Sequence, residues 1–306
     1  MEESKLKTYF QSLRIPDETE EFSWLFMNDP AHKASQTKVY TSNYPFLFFN
    51  RFAARPTFEF EPITILYGSN GSGKSTLLNV IAELLHLTRH APYNKTDFFD
   101  DYCELCRIEE TGIPQESKII TSDDIFRKMN AVRATNLQRN AVRGAVRDER
   151  AELREQVRED PELLRFTGLD DYDKWNQYFE AANQSTSEYI SRRAERNLRA
   201  GSNGETAMQY LTEEIEQNAL YLLDEPENSL APRLQLELKQ FLEESARFFG
   251  CQFIIATHSP LLLAMSGAKI YNLDDVYADP CEWTELENVK VYASFFKQHA
   301  NEFAEK

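Results

Sequence analysis

A glycine-rich run between two apolar segments constrains the fold of this chain more than any other feature. Residues 63–67 have the apolar pattern of a buried strand, and residues 77–87 have the pattern of a helix. Between them stand Gly68, Ser69, Asn70, Gly71, Ser72, Gly73, Lys74, Ser75 and Thr76. Such glycines let backbone N–H groups turn toward a phosphate chain, Lys74 adds a positive charge, and the Ser75 hydroxyl is placed to ligate Mg²⁺. The run predicts a P-loop that binds ATP or GTP in an α/β fold.

Composition and charge exclude several classes of protein. The 306 residues suffice for one large α/β core, and no apolar run approaches the ~20 residues of a membrane-spanning helix. The first residues lack the basic-then-apolar pattern of a signal peptide, and the four cysteines form no regular framework. We therefore expect a cytoplasmic protein without a transmembrane segment. The net charge of −16 argues against a uniformly basic surface for nucleic acid.

Two further apolar segments end in side chains suited to nucleotide chemistry. Residues 219–223 predict a buried strand that ends in Asp224 and Glu225. Asp224 would hold Mg²⁺ with the P-loop serine, and Glu225 would be the general base that polarises the attacking water. Residues 251–256 predict another parallel strand, followed by His258. Because ligands bind at the carboxyl ends of strands in such sheets, His258 is expected near the same γ-phosphate.

The order of these motifs resembles that of ATP-binding-cassette ATPases, which carry a signature motif shortly before the second of these strands. The counterpart here is Gly201, Ser202, Asn203, Gly204 and Glu205, with Gly201 in place of the usual leucine and Asn203 in place of a glycine. In that class the motif closes over the γ-phosphate held by the P-loop of a second subunit. The resemblance implies ATP and Mg²⁺ as ligands, ATP hydrolysis, and a homodimer that forms on ATP binding. It also implies nucleotide contacts from Ser202, Gly204 and Glu205.

A narrower resemblance is to a group of bacterial single-domain ATPases that are similar to SMC and DNA-repair ATPases. The segments that carry this resemblance are residues 44–52, 224–230, 267–275 and 283–289. This resemblance implies an ABC-type P-loop NTPase core with a mostly parallel sheet, an antiparallel β patch and a helical insert at about 120–200. It implies one ATPase domain over 41–306, after an N-terminal extension over 1–40.

Local patterns add expectations about the first hundred residues. We expect a helix over 1–14 and strands over 46–49 and 57–60, on either side of Arg55 and Pro56. Phe52 belongs to an aromatic cluster that could stack on adenine, but such a cluster is more often plain core. We favour the core interpretation.

A long helical pattern over 123–160 carries a one-sided arginine stripe. At about 100° per residue, five of its arginines fall within one arc about 80° wide, beside an apolar stripe. They are Arg143, Arg147, Arg150, Arg154 and Arg158. Several i,i+4 neighbours carry charge of the same sign, so this segregated charge is not optimal for salt bridges on an exposed helix. Three interpretations remain open: a solvated helical arm, a nucleic acid or other phosphate-bearing partner, and a protein partner.

The function that these features favour is a soluble, ATP-hydrolysing switch in nucleic-acid maintenance or anti-phage defence, by analogy with the class. The alternative is the nucleotide-binding subunit of a transporter, which requires a glutamine loop. Gln115 is the only candidate for that glutamine. A regulatory module without turnover is a third option, against which the presence of Glu225 and His258 argues.

A zinc site is a further hypothesis. Its candidate ligands are His86, His90, Cys103 and Cys106. These residues offer a His-x₃-His and a Cys-x₂-Cys spacing, but a single Cys-x₂-Cys is weak evidence for zinc.

Overall fold

Within the residues that the computed structural model describes, namely 6–27, 44–52, 57–166, 172–196 and 202–303, eight strands form two sheets. The strands are β1 (Phe10–Arg14), β2 (Thr57–Glu59), β3 (Ile63–Tyr67), β4 (Arg107–Glu110), β5 (Lys118–Thr121), β6 (Leu220–Asp224), β7 (Gln252–Ala256) and β8 (Lys269–Asn272). The larger sheet has the order β5-β6-β7-β3-β8, and all its neighbours are parallel. The smaller sheet has the order β2-β1-β4 and is antiparallel.

Helices follow most strands of the larger sheet. The α-helices of the described residues are α1 (Glu18–Phe22), α2 (Lys74–Leu84), α3 (Phe99–Leu105), α4 (Ser122–Glu159), α5 (Tyr172–Asn183), α6 (Thr186–Arg193), α7 (Asn203–Glu214), α8 (Pro232–Phe248), α9 (Pro260–Leu263), α10 (Glu287–Gln298) and α11 (Ala300–Phe303). The long predicted helix over 123–160 is α4, and Pro161 follows shortly after its end. In the described part of the chain, no helix is both long and apolar enough to cross a membrane.

The larger sheet is the centre of the core. Every residue of β3 and β7 is buried, as expected for parallel strands that are covered on both faces. Leu77 and Leu78 of α2 are fully buried as well. Each such aliphatic side chain contributes about 1.5–3 kcal/mol relative to an exposed position. The predicted fold class is confirmed: an α/β P-loop core with a mostly parallel sheet, an antiparallel β patch and additional helices.

Contacts divide the chain into two units. The second unit comprises Arg127–Ser202 and holds most of α4 together with α5 and α6, whereas the first comprises the described residues on either side. The second unit overlaps the helical insert that the resemblance implies at about 120–200. The proposed division into an extension over 1–40 and a domain over 41–306 stays a prediction, because its boundary lies outside the described residues.

The predicted helix over 1–14 is wrong where the chain is described. Phe10–Arg14 is a strand because its backbone pairs with both β2 and β4. The side chain of Gln252 adds two bonds: the Phe10 N–H donates to Oε1 at 2.9 Å, and Nε2 donates to the Phe10 carbonyl at 2.8 Å. These pairings are long-range, so the local pattern did not show them.

The predicted strand over 46–49 is also wrong, since these residues form a turn. Phe46, Phe49 and Phe52 are three positions apart and all are buried. Strand geometry would place alternate residues, not every third residue, on one face. Phe52 is fully buried and packs against Phe58, with ring centroids 5.9 Å apart, so it is core and presents no face to adenine. Arg55 and Pro56 lie outside the described residues.

Candidate nucleotide-binding site

The glycine-rich run forms the connection from β3 to α2. Gly73 has φ 96° and Gly71 has φ 81°, backbone conformations that favour glycine. A Cβ at Gly73 would also lie 2.6 Å from Cε1 of Phe48. α2 begins at Lys74 without a side-chain cap, so the first N–H groups of the helix are available to an anion. Asn70 is exposed at the tip of the loop.

The interior of the loop has polar groups that a phosphate would satisfy. Lys74 is buried, and its Nζ donates to the carbonyls of Gly68 at 2.8 Å and Ser69 at 3.1 Å. The Ser72 hydroxyl is buried without a hydrogen-bond partner among the described atoms. A Cβ at Gly68 would lie 2.4 Å from that hydroxyl, so the loop is tightly closed there. This is a cradle that fits a phosphate chain.

Two side chains that the sequence did not suggest also hold the loop. Asp274 accepts from the Ser69 N–H at 2.8 Å and from the Ser69 hydroxyl at 2.7 Å. A guanidinium nitrogen of Arg51 donates to the carbonyl of Ser72. Asp274 follows β8, so its position at the carboxyl end of a parallel strand was the available signal.

The two hydroxyl residues after Lys74 have different partners. The Ser75 Oγ donates to Oδ1 of Asp224 at 3.0 Å, which joins the start of α2 to the end of β6. The Thr76 Oγ1 accepts from the hydroxyl of Tyr44 at 2.9 Å. Ser75 therefore faces the predicted metal ligand, whereas Thr76 is bonded to the aromatic segment.

The surroundings of Asp224 suit a divalent cation. The pKa of Asp224 is raised to about 6: burial is the largest cause and the neighbouring Glu225 adds to it, whereas the Ser75 hydroxyl and Lys74 act in the opposite direction. The carboxylate is half-buried with one hydroxyl donor, and a cation would complete the charge compensation that Lys74 gives it in part. The residues present thus fit Mg²⁺, which Ser75 and Asp224 would hold.

Glu225 is fixed by its backbone and by one side-chain bond. Its φ of 49° lies in the left-handed region, which costs about 1–3 kcal/mol for a residue other than glycine. Its N–H donates to the carbonyl of Ala256 at 2.8 Å, and Oε2 accepts from Nδ2 of Asn228 at 2.9 Å. Strained backbone of this kind is concentrated at functional sites.

His258 lies beside two glutamates. Its Nδ1 is 3.7 Å from Oε1 of Glu225 and 3.7 Å from Oε1 of Glu227. The histidine side chain is about half exposed, whereas Glu227 is only 5% exposed. The structure brings Glu225 and His258 together, as predicted. Glu227 was not predicted as a site residue, because a second acidic residue after a strand has no distinctive pattern.

The candidate signature motif begins a helix, as the resemblance implies. α7 starts at Asn203, so Gly204 and Glu205 lie in its first turn. Gly204 is buried, and a Cβ there would lie 2.7 Å from Cδ1 of Leu234, which is a packing reason for glycine. Gly201 lies outside the described residues. The role of Ser202, Gly204 and Glu205 at a nucleotide stays a prediction.

Gln115 is not at the candidate site. It is exposed in the turn before β5, at the amino end of that strand. The P-loop, Asp224 and His258 are at the carboxyl ends of β3, β6 and β7, the opposite edge of the same parallel sheet. The glutamine loop of the transporter alternative is therefore not supplied by Gln115.

The zinc hypothesis receives no geometric support. Over the described ranges, no group of three or more His, Cys, Asp or Glu side chains is arranged to hold a metal ion. Cys103 is buried with its thiol free, and burial raises its pKa to about 12, whereas zinc requires the thiolate.

Comparison with known proteins identifies the family. A family model described as "AAA domain, putative AbiEii toxin, Type IV TA system" matches residues 89–264, a range that includes Asp224, Glu225 and His258. The chain belongs to this family. The P-loop at 68–76 precedes the matched range. This match to an AAA domain confirms the expected class of nucleotide-binding P-loop NTPases. Proteins with curated descriptions give no match.

Solved structures give distant resemblances to ATP-binding cassettes and SMC heads. A nucleotide-free ATP-binding cassette from an ABC transporter is 16% identical, with 72% of this chain and 80% of that chain covered and a TM-score of 0.36. An SMC head domain from Pyrococcus furiosus is 12% identical, with coverages of 79% and 95% and a TM-score of 0.36. One from Thermotoga maritima is 13% identical, with coverages of 87% and 94% and a TM-score of 0.34. Sequence identities and TM-scores this low assign no activity to the chain.

Proposed function

We propose that this protein is a Mg²⁺-dependent ATPase that converts ATP and water to ADP and phosphate. The observation that carries the proposal is the convergence of several chemical groups at one edge of the parallel sheet. The P-loop follows β3, Asp224 ends β6, and Glu225 and His258 lie 3.7 Å apart after β6 and β7. Open α/β sheets bind their ligands at this edge.

Each of these groups has a role in phosphoryl transfer. Lys74 would exchange its two loop carbonyls for the β- and γ-phosphates, and the N–H groups at the start of α2 would bind phosphate oxygens. Ser75 and Asp224 would hold Mg²⁺, which when bound neutralises charge that develops on the phosphate oxygens. Glu225 would orient and polarise the attacking water for in-line displacement. His258 would contact the γ-phosphate or that water.

We further propose that ATP closes a homodimer. Ser202, Gly204 and Glu205 of one subunit would complete the site of the other, and opening and closing of the dimer would be the output of a cytoplasmic switch. The position of Gly204 and Glu205 in the first turn of α7 supports this, because a helix N-terminus suits an anionic phosphate. The description of the family as a toxin supports a role in defence more than one in transport.

The metal requirement of the ATPase provides a test. We expect Asp224→Asn to raise the Mg²⁺ concentration for half-maximal turnover by about 10–100-fold, the scale of one charge-assisted contact. Since burial raises the pKa of Asp224 to about 6, the wild type should also need more Mg²⁺ as the pH falls below 6. Phosphate release is measured across Mg²⁺ titrations at several pH values.

The matched control is Asp275→Asn, because the side chain of this exposed aspartate accepts from the backbone N–H of Tyr277 and not from the P-loop. It should leave the Mg²⁺ requirement unchanged. An unchanged requirement in Asp224→Asn would contradict the assignment of Asp224 as a metal ligand.

The arginine stripe forms a pocket in the second unit, which favours a phosphate-bearing ligand there. The pocket has a volume of about 640 Å³, and its lining includes Arg147, Arg150, Arg154 and Arg158. Arg150 is buried and donates to the Gln184 carbonyl at 2.5 Å and the Thr186 hydroxyl at 2.8 Å. Arg150 therefore stabilises the unit itself, and the periodicity of the stripe did not show this.

The other arginines of the stripe differ in how available they are to a phosphate-bearing ligand. Arg147 and Arg154 are exposed, and the structure gives them no ion pair within the described residues. Arg158 lies 3.8 Å from Glu155, a weak exposed pair. Arg143 does not line the pocket. We therefore propose that Arg147, Arg154 and Arg158 bind a phosphodiester backbone.

Salt dependence tests this partner. We expect the wild type to bind fluorescent single-stranded oligonucleotides at low salt, and Arg147→Gln with Arg154→Gln to reduce the salt slope by about 1.4 log units per decade. Arg165→Gln is the control, because Arg165 is exposed in the same unit but pairs with Glu162. If the wild type binds no oligonucleotide at low salt, with or without ATP, the phosphate interpretation is wrong and a protein partner is favoured.

A further inference from the structure

Glu227 is a buried carboxylate that holds the segment around His258. Its Oε1 accepts from the Thr257 hydroxyl at 2.6 Å and from the backbone N–H of His258 at 3.2 Å. The same oxygen lies 3.7 Å from Nδ1 of the histidine ring. One oxygen of this glutamate thus contacts both the backbone and the side chain of His258.

Burial of this carboxylate is costly and is only partly offset. Glu227 is 5% exposed, and its Oε2 is buried without a hydrogen-bond partner among the described atoms. A buried carboxylate is destabilising unless donors or a cation compensate its charge. An apolar residue of similar size would avoid this cost, so a purely structural role does not account for the glutamate.

The backbone of His258 is fixed on both sides while its ring stays accessible. The N–H is bonded to Glu227, and the carbonyl accepts from Nδ2 of Asn288 in α10 at 2.7 Å. The ring is about half exposed, and its Nδ1 lies 3.7 Å from Oε1 of Glu225 and 3.7 Å from Oε1 of Glu227. A carboxylate beside one imidazole nitrogen sets the ring orientation and favours a proton on that nitrogen.

We propose that Glu227 is a positioning residue that acts through His258: it fixes the ring and keeps a proton on Nδ1, so that Nε2 is directed to the γ-phosphate or the attacking water. This inference rests on the proposed ATPase function. It assigns different roles to the two glutamates near His258. Glu225 acts on water, whereas Glu227 acts on the histidine.

A double-mutant cycle tests the coupling. We expect Glu227→Gln to lower kcat about tenfold, the scale of effect when a group that orients a functional histidine is lost. KM should change less than about twofold. In a His258→Ala background the same substitution should have no further effect on kcat, because its target is absent. Glu237→Gln, an exposed glutamate of α8 that pairs with Arg233, is the matched control.

A second readout does not depend on turnover. Side-chain ¹⁵N chemical shifts of the ATP-free protein report which ring nitrogen of His258 is protonated. The signals of His258 are identified among those of the five histidines because they are missing from the spectrum of His258→Ala. We expect a proton on Nδ1 in the wild type and a change of these shifts in Glu227→Gln. If Glu227→Gln does not fold, Thr257→Val, which removes one donor to Glu227, should give smaller changes of the same kind.

The outcomes separate this proposal from the ATPase proposal. Equal losses of kcat in both backgrounds, or unchanged His258 shifts in Glu227→Gln, would overturn the positioning role. A wild type without turnover would overturn the ATPase proposal, and the ¹⁵N shifts alone would then decide whether Glu227 sets the state of His258.

Discussion

Replacement of Glu225 by glutamine is expected to lower kcat for ATP hydrolysis by roughly 10²–10⁴-fold, the usual cost of losing a general base. Glutamine keeps the shape and can still accept from Nδ2 of Asn228, so the strained backbone at this position should persist. The Kd for ATP should change less than about twofold, because Glu225 acts on water rather than on the nucleotide. Phosphate release and equilibrium binding of a fluorescent ATP analogue measure the two quantities.

Glu237→Gln is the control for this variant as well, since it makes the same chemical change on the surface of α8. It should retain the wild-type kcat. Hydrolysis by Glu225→Gln at the wild-type rate would show that another group is the base.

The Lys74→Ala substitution should act on binding rather than on chemistry. The buried ammonium of Lys74 donates to the loop carbonyls of Gly68 and Ser69, which the phosphates would replace. Loss of a charge-assisted contact of 1.5–3 kcal/mol weakens ATP binding by about 10–100-fold. The variant should keep the wild-type unfolding midpoint without nucleotide and lose the increase that ATP produces. Thermal unfolding with and without ATP measures both.

The same pair of variants tests the dimer. With ATP and Mg²⁺, light scattering should show that Glu225→Gln doubles its mass, because trapped nucleotide joins two half-sites. Lys74→Ala should remain monomeric under these conditions. A Lys74→Ala and Ser202→Ala mixture should recover activity, since one composite site per heterodimer has all its groups. No change of mass and no recovery would indicate a site contained in one chain.

The elements that carry the site could be predicted because their sequence patterns are local. The apolar segments before Asp224 and before His258 are strands of a parallel sheet, and their continuous burial explains the continuous apolar pattern. The P-loop glycines were recognisable since phosphate binding requires their backbone conformations. Because β3, β6 and β7 are parallel, their carboxyl ends lie at the same edge of the sheet. The order of the motifs along the chain already implied this arrangement.

Long-range contacts limited the rest of the prediction. Helical periodicity placed Arg150 in the arginine stripe correctly, but it could not show that α6 and the residues before it bury this guanidinium. The pairing of β1 with β2 and β4 likewise joins segments far apart in the chain. The contacts of Glu227 with His258 and of Asp274 with the P-loop also join segments far apart in the chain, so no local pattern showed these contacts.

Steady-state phosphate release from ATP by the purified wild type, with Lys74→Ala prepared in parallel, tests the central claim most directly. Turnover by the wild type should require Mg²⁺, stop when EDTA removes the metal, and exceed that of Lys74→Ala by at least about tenfold at ATP concentrations below KM. A wild type that releases phosphate no faster than Lys74→Ala, or equally fast in EDTA, would contradict hydrolysis at this site.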